Sequence, residues 1–266
     1  MGTTIVSTKD LLEKIRYIGE SYPKDELDQL LTRHDSIPEL IGILELVHQD
    51  PQRFLEENRF DHVYAAVLLG QLGSTDAFYP FLHILKLPND LALELYKEYL
   101  VTTAGRILAN TYPGDVVMGA FPDLEALFEL VNDITLDECI RATGIQAITS
   151  LVLQKRISRE MIVYYYHDLL QGGLEDESGY VYTMLIDSCL VLNFRGLYDD
   201  ILEVFAQKKV DVNHISIDDV EEQFREYNPS YANDYLPISE VHKEFAWWTG
   251  QDYPENIHMD SKEIID

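Results

Sequence analysis

The sequence predicts an all-α protein, an α/α superhelix in which helical hairpins stack into an α-solenoid. Three observations carry this expectation. Apolar residues recur at helical intervals almost throughout the chain. Glycine and proline fall mostly between those periodic stretches, as turns between short helices require. A pair of helices returns about every 40 residues.

The elements follow in order. Residues 1–59 read as an N-terminal helical cap. Leu11, Leu12, Ile15 and Ile18 form an apolar stripe behind the capping candidates Ser7 and Thr8. Pro23 suits the first turn of a second helix bearing Leu27, Leu30 and Leu31. A third helix begins at Ser36, with Pro38 in its first turn and Ile37, Leu40, Ile41, Leu44 and Val47 on one side. Residues 60–226 hold the repeat. HVYAAVLLGQLG (62–73), YLVTTAGRILAN (99–110), CIRATGIQAITSLV (139–152) and YVYTMLIDSCLVLN (180–193) align at Ala65, Thr103, Gly144 and Met184, spaced by 38, 41 and 40 residues. Between them lie TDAFYPFLHILKL, PDLEALFELVND and SREMIVYYYHDLLQG, each read as one outer helix. One hairpin cannot bury its own apolar face, so hairpins pile up and share a core. The alternating stretch Val210–Ile217 has no partner nearby and reads as an extended connector. Residues 227–266 form an acidic, aromatic-rich end, with a short helix expected from about Ser239 to Trp248 and a mobile terminus from Asp252 to Asp266.

The stretch from His62 to Phe224 resembles HEAT-like or armadillo-like repeats. Its segments HVYAAVLLGQLGSTDAFYPFLHIL, YPGDVVMGAFPDLEALFELV and CIRATGIQAITSLV resemble, more narrowly, a bacterial domain family of unknown function and of about this length. The matching positions are mostly apolar or turn residues, so the resemblance implies a fold and little about activity. Some members of that family end in a cysteine- and histidine-rich zinc motif of the SEC-C type. The present sequence has no cysteine after Cys189, so the resemblance carries no zinc site over.

Charge excludes more than it identifies. The 266 residues hold 47 acidic and 20 basic side chains, a formal net charge of -27. Such a surface repels phosphate backbones and anionic head groups, so neither nucleic acid nor membrane is an expected partner. No apolar run reaches the roughly 18 residues that span a bilayer. The first residues carry no secretory pattern, and a cytoplasmic protein is expected. Cys139 and Cys189 stand apart in apolar stretches and read as small buried hydrophobes.

The usual chemical motifs are missing. There is no phosphate loop, dinucleotide fingerprint, nucleophile elbow or H-E-x-x-H, and no two of the eight histidines lie three or four apart. Asp211 and Asn213 open like a calcium loop, but Ile215 and Ser216 stand where a ligand and the turn glycine belong. Acidic pairs such as Asp123 and Glu125 read as first-turn residues favoured by the helix dipole. No catalytic, cofactor or metal residue is therefore assigned. The candidates for partner binding are Trp247 and Trp248, the consecutive Tyr164, Tyr165 and Tyr166, and Asp115 in the loop after Gly114. Adjacent helical residues point about 100° apart, so the three tyrosines cannot all face the core. The expected function is a non-catalytic scaffold binding a basic protein partner through an acidic surface. Two alternatives stand beside it: an enzyme or metal-dependent protein with a site of dispersed Asp, Glu and His, and an acidic mimic of nucleic acid occupying a basic protein.

Overall fold

The structure is a computed structural model that describes residues 6–114, 120–175 and 178–246. Asp115, Trp247 and Trp248 lie outside the described residues, as does the expected mobile terminus. Among the described residues the secondary structure is helical and no strand forms; Tyr17 and Arg59 meet in an isolated antiparallel bridge. No helix among them is long and apolar enough to cross a membrane.

The N-terminal elements follow their sequence signals. α1 (Thr8–Lys14) begins at Ser7, whose hydroxyl accepts the Asp10 N–H while the Asp10 carboxylate accepts the Ser7 N–H. This reciprocal cap satisfies two donors that a helix start leaves free. Pro23 stands at the N-cap of α2 (Lys24–Thr32), one residue earlier than the first turn expected for it. α3 (Ser36–Gln49) starts where the sequence places it.

The next stretch departs from a plain hairpin repeat. α4 (Asp61–Leu72) ends at Gly73, whose φ of 61° closes the helix in the left-handed region. α5 (Phe78–Leu85) is the expected outer helix, but an extra helix, α6 (Leu91–Tyr96), follows it. Asn89 and Asp90, both at positive φ, make the turn into α6, and Lys97 at φ 46° reverses the chain after it. The single helix expected over 99–110 is split into α7 (Glu98–Thr102) and α8 (Ala104–Thr111). Two adjacent β-branched residues sit at the break, and Thr103 leaves helical geometry at φ -128°. α9 (Pro122–Asn132), α10 (Glu138–Leu153), α11 (Arg159–Asp168), α12 (Tyr180–Val191) and α13 (Tyr198–Ala206) then continue the alternation. Within Val210–Ile217 the Asp211 carboxylate accepts the Asn213 N–H in a tight turn, and Ser216 caps α14 (Ile217–Arg225).

Packing follows chain order. α3 packs on α4, α4 on α8, α8 on α10 and α10 on α12, while α5, α9 and α11 lie beside them. Every residue from Asp61 to Gly70 is buried, as is every residue from Ile140 to Val152. A helix that is apolar on all sides must be covered on all sides. The covering of α4, α8, α10 and α12 is completed by the C-terminal segment, which the sequence reading ends in a helix and a mobile terminus. Residues 229–235 form a 3-10 turn, an extended stretch follows, and α15 (Val241–Glu244) is only four residues long. This strap returns across α12, α10 and α8 to α4. Its Ile238, Val241 and Phe245 join the hydrophobic core that begins at Leu11.

Candidate functional site

The strap is held on the helix faces beneath it by spaced buried anchors and by hydrogen bonds to its backbone. Tyr235, Ile238, Val241 and Phe245 are 4%, 2%, 0% and 1% exposed, whereas Leu236 between them is 46% exposed. The first three anchors recur every third residue, the period of a polyproline II segment. Leu236 has the matching dihedrals, φ -70° and ψ 155°, and Pro237 follows it. An extended chain cannot satisfy its own backbone, so the helices beneath supply partners. Arg106 Nε donates to the Leu236 carbonyl at 2.7 Å, Asn110 Nδ2 donates to the Ile238 carbonyl at 3.3 Å, and the Val241 N–H donates to Gln71 Oε1 at 2.5 Å. Ile238 lies so close to α4 that a Cβ on Gly70 would come within 3.0 Å of its Cδ1. Phe245 closes the strap against the rings of Tyr64, Tyr99 and Phe60, with centroids 5.0, 5.4 and 6.1 Å away.

Polar contacts fix both ends. At one end the Tyr235 hydroxyl donates to Asp187 Oδ2 at 2.5 Å. At the other, His242 Nε2 meets Asp28 Oδ1 at 2.8 Å and its Nδ1 meets the Tyr22 hydroxyl at 2.7 Å. With Nε2 donating to the carboxylate, Nδ1 of a neutral ring is left to accept from Tyr22. Two residues beyond His242, Glu244 Oε2 pairs with Arg106 Nη1 at 2.9 Å.

Asp187 has a consequence for pH. Burial pushes its carboxyl above the usual range; the Tyr235 hydroxyl and His214 act in the opposite direction, and Asp234 adds to the rise. A folded-state pKa above the unfolded value means stability that is complete at low pH and lost as pH rises through the folded pKa. Asp187→Asn, which keeps an acceptor for Tyr235, is expected to raise stability at pH 7.5 by about 1 kcal/mol, or about 2–4 °C in Tm. The advantage should fade towards pH 4, and thermal unfolding at both pH values checks it. An Asn variant equally or less stable at pH 7.5 would contradict the assignment.

A shallow depression, with room for about a single water molecule, lies between α7, α10 and α12, lined by Val101, Cys139, Thr143, Gln146, Tyr180 and Met184. Burial, and the nearby Asp137, push the Cys139 thiol up to about 12. A thiol held there is almost wholly protonated at neutral pH and is a poor nucleophile. Cys189 is buried and its thiol is likewise pushed up by burial. Among the described residues no group of three or more His, Cys, Asp and Glu is placed to hold a metal ion.

The tyrosine run separates as helix geometry demands. Tyr164 is 73% exposed. Tyr165 stacks on Phe128 of α9 at 4.0 Å and 28°, and its hydroxyl accepts from Asn132 Nδ2. Tyr166 is enclosed, its hydroxyl 3.0 Å from Thr149 Oγ1, and offers no surface to a partner. Asp115, Trp247 and Trp248 are outside the described residues. The strap anchors were not among the expected binding residues. Their signal is present in the sequence as Tyr-x-x-Ile-x-x-Val around Pro237, a period of three that a search for helical and strand periods passes over.

Comparison with known proteins gives a family and no activity. The family described as a protein of unknown function (DUF1186) matches residues 6–251, and the chain belongs to it. An uncharacterized protein of Chlamydia muridarum (strain MoPn / Nigg) is 25% identical over 213 residues, covering 79% of this chain and 82% of the relative. An uncharacterized protein of Chlamydia trachomatis serovar D is 24% identical over 213 residues, covering 79% and 81%. No solved structure matches.

Proposed function

We propose that this member of the DUF1186 family is a non-catalytic interaction scaffold: an α-solenoid of the HEAT-like kind that binds a basic protein partner in the cytoplasm through an acidic surface. The observation that carries the reading is the packing ladder α3–α4–α8–α10–α12, which runs in chain order with α5, α9 and α11 alongside. Stacked units that touch mainly their neighbours leave long surfaces, and such surfaces suit protein docking. The formal charge of -27 favours a basic partner and rapid, salt-sensitive encounter. Tyr164, an exposed aromatic on α11, is one anchor for such a partner.

Affinity capture from a native cytoplasm at low and high salt tests the proposal. Specific basic proteins are expected at low salt and fewer at high salt. Tyr164→Ala should leave stability within about 0.5 kcal/mol and weaken capture. Failure to retain any specific protein at either salt would remove the scaffold reading.

A further inference from the structure

We propose that the face under the strap is a peptide-binding groove, that residues 235–245 occupy it as a built-in competitor, and that its ligand in trans is an extended basic peptide with the same spacing of apolar anchors. The inference rests on the scaffold reading and names the partner chemistry of one surface of it.

The way the strap is held supports this. Its fixed contacts are four buried side chains, a few backbone groups and the polar side chains of His242 and Glu244, and none of them needs the strap to be covalently part of the protein. Arg106, Asn110 and Gln71 recognise two carbonyls and one N–H, groups that any extended peptide carries. The face reads the buried side chains at 235, 238, 241 and 245 and the polar ones at 242 and 244, while Leu236, Pro237, Ser239 and Glu240 are exposed. Backbone recognition with spaced apolar pockets is the usual mode of binding an extended peptide.

Charge selects between the strap and a rival. The strap brings exposed Asp234 and Glu240 onto a molecule that already carries a net charge of -27, and Glu240 is offset by the exposed Lys243, with which it pairs, and by the nearby Lys24. Asp28, which receives His242 and also meets Lys24, adds a carboxylate at one end of the groove. A ligand that keeps the anchors and carries lysine at the two exposed acidic positions replaces repulsion by attraction. The strap compensates by being tethered: a short linker gives an effective concentration in the millimolar range. The groove is thus closed to weak ligands and opened by strong basic ones.

The test measures fluorescence anisotropy of two labelled synthetic peptides against the full chain. One has the native sequence of residues 231–246, and the other carries Asp234→Lys and Glu240→Lys. Each is titrated into the wild-type protein and into Ile238→Asp, which places a carboxylate in a buried pocket and releases the strap. The lysine peptide is expected to bind Ile238→Asp at least tenfold more tightly than wild type. It should also outbind the native-sequence peptide by about tenfold at low salt, with the gap shrinking as salt screens the charges. If Ile238→Asp loses its helical circular dichroism, Ile238→Ala replaces it, with a smaller gain expected. A folded strap-released variant that binds neither peptide better than wild type would overturn the groove. Equal affinity for the two peptides would overturn the basic ligand, and a stable dimer of the released variant would point to exchange of straps between copies instead. Capture of partners that is identical for wild type and Ile238→Asp, and that the peptide does not compete, leaves the scaffold standing on another surface. Peptide binding without any captured partner does the reverse.

Discussion

Arg59→Met is expected to destabilise the protein by about 3–5 kcal/mol at neutral pH. Arg59 and Asp61 are 9% and 4% exposed, and the guanidinium meets both carboxylate oxygens, Nε to Oδ1 at 3.0 Å and Nη2 to Oδ2 at 3.1 Å. The guanidinium carbon also lies 3.9 Å from the centre of the Phe54 ring. Methionine fills the volume and removes the charge, so Asp61 is left buried without its partner. Burial on its own pushes the Asp61 carboxyl up, but the His62 ring and the hydrogen bonds and charge of Arg59 together hold it below the usual range. A depressed folded pKa contributes stability that is present above the unfolded pKa and lost as pH falls through the folded value. In the variant that support is gone and protonation relieves the buried charge, so the gap from wild type should narrow towards pH 4. Denaturant unfolding at pH 7 and pH 4 measures both effects. The double change Arg59→Met with Asp61→Leu should recover most of the loss, because an apolar pair of similar volume carries no desolvation cost. A loss below about 1 kcal/mol for the single variant would show that the pair does not support the fold as described.

The second large effect is at Gly105. A Cβ built there would lie 2.4 Å from Gln146 Oε1, 2.7 Å from its Cβ and 2.8 Å from its Cγ. The Gly105 N–H also donates to Gln146 Oε1 at 3.2 Å, in a buried contact between α8 and α10. Gly105→Ala must therefore push two central helices apart and weaken that hydrogen bond. Overpacking of this kind costs about 1–3 kcal/mol, more than the roughly 1 kcal/mol that alanine gains as a helix former. Gly42 on α3 is the control, since nothing lies within 4 Å of its Cβ position. Gly42→Ala should stabilise by up to about 1 kcal/mol. Chemical denaturation of the two variants should give opposite signs; the same sign for both would defeat the close-approach argument.

Much of this architecture is legible without coordinates. The stripes Leu11 with Ile15 and Leu40 with Leu44 and Val47 announce helices, and each of those residues is buried. Ser7 marks a start that its own side chain then enforces. The aligned positions Ala65 and Gly144 fall within central helices, whereas Thr103 marks a break between two of them. That break was hidden because the apolar pattern continues through it, while two β-branched residues and Lys97 at positive φ decide it locally. The strap was hidden for a different reason. Its anchors repeat every third residue, and its partners Gly70, Gln71, Arg106, Asn110 and Asp187 lie from 48 to 170 positions away.

The sequence by itself determined the helical class, the starts of the first and third helices and the negative charge, because these depend on local periodicity, capping and composition. Only the tertiary structure decided that the C-terminal segment lies over the central helices, that Tyr164 faces solvent while Tyr166 does not, and that Arg59 and Asp61 share a buried ion pair. Those outcomes depend on which surfaces meet across the fold. Close approach at a glycine, or an extended chain lent its hydrogen bonds by distant side chains, leaves no periodic trace in the segment that undergoes it.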